Sequence, residues 1–67
     1  MNTRSDLALL SSIGAQLEEI ANRVTDMAER YGATPDSAVA AELYSAERGV
    51  FAANRALDRA RGYLEQA

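Results

Sequence analysis

From Leu10 onward the chain places an apolar residue at every third or fourth position: Leu10, Ile13, Leu17, Ile20, Val24, Met27 and Tyr31. Steps of three and four alternate without a fault, which is the period of a helix carrying a heptad seam. Leu10, Leu17, Val24 and Tyr31 occupy the a column; Ile13, Ile20 and Met27 occupy d. The adjoining e column reads Leu7, Gly14, Ala21, Ala28, so small residues flank the seam and permit another helix to approach closely on that side. Thr3 or Ser5 is the expected N-cap, with Asp6 placed favourably in the first turn. A first helix is expected over about residues 4 to 31.

A second seam runs through Val39, Leu43, Ala46, Val50, Ala53, Leu57, Ala60 and Leu64. Its a column is large (Leu43, Val50, Leu57, Leu64), and its d column is small after Val39 (Ala46, Ala53, Ala60). A second helix is expected over about residues 35 to 65, and no stretch shows the alternation of a strand. Between the seams lies RYGATPDSAV, where Gly and Pro come together. Gly32 suits a left-handed helix terminus, Thr34 an N-cap, Pro35 a first helical position, and Asp36 the positive end of a helix dipole. A connection over residues 32–34 is the length that joins antiparallel neighbours.

The expected fold is therefore all-α: one antiparallel coiled-coil hairpin spanning residues 1–67. Its expected core comprises Leu10, Ile13, Leu17, Ile20, Val24 and Met27 from the first helix, with Leu43, Ala46, Val50, Ala53, Leu57 and Leu64 from the second. A register in which facing residue numbers sum to 70 sets Leu17 against Ala53 and Val24 against Ala46, large against small. It also brings Arg30 near Glu42 on the flank. A register summing to 63 places Met27 against Asp36 and is less favourable.

A hairpin this small buries too little apolar surface to be robust alone. With neither Cys nor His in the chain, disulfides and Cys/His zinc sites are excluded. Association is the remaining means of stabilisation. Tyr44 and Phe51 at b, with Leu9 and Tyr63 at g, lie off the seams and are the expected interface. The expected assembly is a homodimer in which two hairpins form a four-helix bundle. A different protein docking at the Tyr44/Phe51 stripe is the alternative use of those side chains.

Catalysis is not expected, because the commonest general bases, nucleophiles and Schiff-base formers (His, Cys, Lys) are absent. No catalytic, cofactor-binding or metal-ligating residue is assigned. The carboxylates instead find Arg partners four residues away, as in Glu19–Arg23, Asp26–Arg30 and Arg61–Glu65. Gly14 and Gly49 are expected to relax packing where helices approach. The expected role is a small protein–protein interaction module: an adaptor, an assembly factor or a regulator.

A net charge of −3 weighs against broad attraction to nucleic acid or anionic lipid. All seven basic residues are Arg and Ala occurs fourteen times, a usage typical of GC-rich bacterial coding. Even so, Arg48, Arg55 and Arg59 form a ridge on the second helix, and a nucleic-acid-binding regulator is the runner-up reading. The N-terminal apolar run is too short for a signal peptide or membrane span, so a soluble cytoplasmic protein is expected. A third reading is a helical-hairpin substrate of a specialised secretion system. The WXG-type family joins its helices through Trp-x-Gly and follows them with Tyr-x-x-x-Asp/Glu. Here Tyr31 abuts Gly32 directly and Ala67 stands four residues after Tyr63, so no family residue carries over.

Overall fold

The computed structural model describes residues 2–35 and 37–66. Two long helices, α1 (Thr3–Gly32) and α2 (Ser37–Gln66), fold back on each other as an all-α hairpin. The molecule measures 51 × 14 × 12 Å, with a radius of gyration of 15.5 Å. A compact chain of this length would have a radius near 11 Å. The rod shape leaves each helix only one neighbour, and that decides how much of each apolar face is covered.

The helix ends differ from expectation in their chemistry. Asn2, rather than Thr3 or Ser5, caps α1: its Oδ1 accepts from the Ser5 backbone N–H at 3.2 Å. The Asn2 carbonyl accepts from Asp6 N–H at 3.0 Å, so the cap and the first helical bond come from one residue. At the other end α1 continues through Gly32, and no described residue has a positive φ. The expected left-handed glycine terminus is therefore not formed. Thr34 ends α1 instead, donating from both its backbone N–H (3.1 Å) and its hydroxyl (2.7 Å) to the Tyr31 carbonyl. Thr34 thus bonds back to the last turn of the first helix, just beyond its C-cap Ala33. Pro35 lies in the turn, ahead of α2. The dipole role expected of Asp36 lies outside the described residues.

The helices meet at the expected height but on a rotated face. Cross-helix hydrogen bonds join Ser11 to Arg61, Gly14 to Asn54 and Thr25 to Glu47. These pairs sum to 68–72, centred on the register of 70 and away from 63. The seam beside these pairs, however, is formed by columns a and e, not a and d. Ala21 and Ala28 of the α1 e column are fully buried, and Ala40 of the corresponding α2 column is 4% exposed. Leu10, Leu17, Val24, Leu43, Val50, Leu57 and Leu64 are half-buried beside them. Ile20, Met27, Ala46 and Ala53, expected in the hairpin core, lie on its surface, and Ile13 is half-buried. Tyr31 and Val39, expected to face each other, are both exposed. Small side chains at Gly14, Ala21 and Ala28 let the helix backbones approach, and dispersion favours the closest contact available. Rotation toward that column carries d out of the seam.

Candidate interaction surface

Two antiparallel helices that touch through equivalent columns are related by a local two-fold normal to the pair. Equivalent columns of α1 and α2 therefore fall on the same side of the hairpin. With a and e forming the seam, d and g of both helices lie on one side, and b of both lies on the other.

The b side borders the hairpin's cross-helix hydrogen bonds and mixes polar residues with two aromatic ones. From α1 it presents Ser11, Glu18 and Thr25; from α2 it presents Tyr44, Phe51 and Asp58. Along its border Arg61 donates to Ser11 Oγ at 3.1 Å and pairs with Asp58 at 3.3 Å and Glu65 at 3.9 Å. Asn54 Nδ2 donates to the Gly14 carbonyl at 3.4 Å. The Thr25 hydroxyl lies between the Ala21 carbonyl, 3.0 Å away, and Glu47 Oε2, to which it donates across the seam. A shallow groove lined by Leu10, Gly14, Glu18, Asn54, Asp58 and Arg61 runs beneath these contacts.

The opposite side is apolar. Ile20 (43% exposed), Met27 (42%) and Val39 (43%) stand on it, with Ala46, Ala53 and Ala60 also exposed. Bulky d residues of α1 thus form a ridge beside a trough of small d residues on α2. The g column borders this side, so Leu9 and Tyr63 lie at its outer edges, on α1 and α2 respectively; both are strongly exposed. The four aromatic and aliphatic side chains singled out from sequence are therefore divided. Leu9 and Tyr63 join the apolar side, whereas half-buried Tyr44 and the more exposed Phe51 lie on the b side.

No large side chain is fully buried anywhere among the described residues. The accessible surface is 4977 Å², against about 4,100 Å² for a typical folded monomer of this mass. The excess of about 850 Å² is close to the ~800 Å² that each partner contributes to a standard interface.

The remaining sequence expectations meet the structure unevenly. Of the three expected ion pairs only Arg61–Glu65 forms among the described residues, joined by Arg61–Asp58. Arg30 and Glu42 form no ion pair, because their g columns lie on opposite outer edges of the hairpin. Gly49 meets no atom within 4 Å of where a Cβ would stand, so it does not mark a close approach; Gly14 does. Arg48, Arg55 and Arg59 are exposed on the outer face of α2, with no ion pair among the described residues. No group of three or more potential metal ligands converges among the described residues. None of their helices is long and apolar enough to cross a membrane. Sequence reasoning missed the polar e column of α2: Glu47, Asn54 and Arg61. Its signal was a polar residue every seven positions beside the leucine column, facing small residues of α1.

No protein-family model matches the chain, and comparison with curated proteins and with solved structures finds no match.

Proposed function

We propose that this chain is a cytoplasmic, non-enzymatic protein–protein interaction module that works as a homodimer of hairpins forming a four-helix bundle. The observation that carries the reading is the imbalance of burial. Among the described residues three alanines make up the sealed core, while Leu9, Ile20, Met27, Val39 and Tyr63 are exposed. A continuous apolar side of this extent on so small a body is characteristic of an interaction site. Antiparallel hairpins pack through such sides into bundles. The bundle then offers its outward polar residues to whatever the assembly regulates or scaffolds.

Light scattering at micromolar concentration tests the reading and should give about twice the chain mass of 7.2 kDa. The melting temperature should also rise with protein concentration, because association stabilises only the folded chain. A folded monomer with a concentration-independent melt would overturn the homodimer. Capture of partners from a native lysate, with and without nuclease, identifies what the assembled module serves.

A second reading, a nucleic-acid-binding regulator, rests on the exposed Arg48, Arg55 and Arg59, none held in an ion pair among the described residues. Its signature would be binding that weakens steeply between low and moderate salt.

A further inference from the structure

We infer that the apolar side is occupied by a second copy of this chain in one particular orientation. The two turns lie at the same end, with α1 of each copy against α2 of the other. The inference rests on the homodimer proposed above and adds its face and geometry.

The argument begins with shape. On the apolar side a bulky ridge (Ile13, Ile20, Met27) belongs to α1 and a small-residue trough (Ala46, Ala53, Ala60) to α2. A surface with ridge and trough side by side complements itself when a two-fold axis brings each ridge over the other copy's trough. An axis parallel to the helices does this and keeps every residue at its own height. The height relation within one hairpin is known from its cross-helix hydrogen bonds, whose residue numbers sum to 68–72. Applied between copies, the same relation leaves Ala53 the trough residue nearest Ile20 and Ala46 the one nearest Met27, each pair within one residue of the hydrogen-bonded heights. An axis perpendicular to the helices would instead stack ridge on ridge and trough on trough, leaving one half overfilled and the other hollow.

The bordering g columns agree with that choice independently. At the same heights Leu9 of one copy meets Tyr63 of the other, covering the two most exposed large apolar residues described, at 58% and 76%. At the turn end Arg30 meets Glu42, opposite charges that form no ion pair within one hairpin. Between them Arg23 faces Gly49, where no atom crowds the position of a Cβ. Area fits as well: the face spans 51 × 14 Å, or about 700 Å² of backbone footprint, near the ~800 Å² per partner of a stable interface.

The test exploits the absence of native cysteine. Leu9 and Tyr63 lie on opposite outer edges of one hairpin, so cysteines there cannot bridge within a copy. Under mild oxidation the L9C/Y63C double variant should form a covalent dimer, while L9C alone and Y63C alone should not. A chain that dimerises by light scattering but fails to crosslink as the double variant would overturn the orientation and leave the homodimer standing. A monomer would overturn both. Efficient crosslinking of L9C alone would likewise reject the packing of α1 of each copy against α2 of the other. A charge exchange provides a second readout that does not depend on oxidation. R30E should weaken dimerisation by about tenfold, since two pairs per dimer become repulsive, and R30E/E42R should restore it. Failure of the second substitution to restore the first would reject the Arg30–Glu42 contact and the arrangement with it.

Discussion

The Asn54 side chain rests on the backbone of Gly14. Its Nδ2 donates to the Gly14 carbonyl at 3.4 Å, and its Oδ1 lies 3.1 Å from where a Cβ would stand. Gly14→Ala therefore pits about 1 kcal/mol of gained helix propensity against displacement of Asn54 and loss of a bond worth about 0.5–1.5 kcal/mol. The two effects should nearly cancel. Gly49→Ala meets no such obstacle and should stabilise the helix by about 1 kcal/mol. Urea unfolding of both variants, read by circular dichroism, separates the two cases. An equal gain at both sites would mean that Asn54 yields without cost.

Alanine is present at Ala21 and Ala53 for different reasons, and one substitution tells them apart. Ala21 is fully buried against α2. Leucine there must force the helices apart, and overpacking of this kind costs about 1–3 kcal/mol. Ala53 is exposed on the apolar side. A leucine there leaves the hairpin seam intact but fills the trough that would receive Ile20 of a second copy. The Ala53→Leu variant should keep its helical circular dichroism at high concentration and dissociate at lower dilution than the parent. Denaturation midpoints and sedimentation measured across concentrations check both statements.

The two sides can be separated in the same way. Ile20→Ser with Met27→Ser should abolish self-association, whereas Tyr44→Ser with Phe51→Ser should leave the dimer mass unchanged. The reverse outcome would locate the interface on the side of Ser11 and Thr25.

At the amino end, Asn2→Ala should destabilise α1 by about 1 kcal/mol, the usual cost of losing an N-cap. Thr3→Ala and Ser5→Ala should matter far less, because the cap bond is made by the Asn2 side chain. Thermal melts of the three variants, compared side by side, test the assignment.

The heptad seams make both helices legible in the sequence, and their register too, because large a residues repeat every seven positions in each helix. What the pattern could not fix was rotation about the helix axes. Columns d and e both flank a, and apolarity alone favoured d, where Ile13, Ile20 and Met27 stand. The closer approach permitted by Gly14, Ala21 and Ala28 turned the hairpin toward e. The small residues of that column mark a place where another helix can come close. The helix that comes close is α2 of the same chain. The helix ends were harder still, since Asn2, Thr3 and Ser5 are all competent caps and only backbone geometry distinguishes them. For the candidate surface, sequence identified Leu9 and Tyr63 but joined them to Tyr44 and Phe51, which the rotation carries to the opposite side.

The three sealed alanines also govern how the chain fares when it is dilute. Among the described residues of a lone copy no large side chain is fully buried, and a two-helix unit of this size lies near the limit of independent stability. A second copy that binds only the folded state raises the folded fraction by mass action. Under the proposed pairing, folding and assembly would rise and fall together with the amount of protein made. Single copies would expose unravelling helix to proteolysis, and abundance would set how much of the chain is folded.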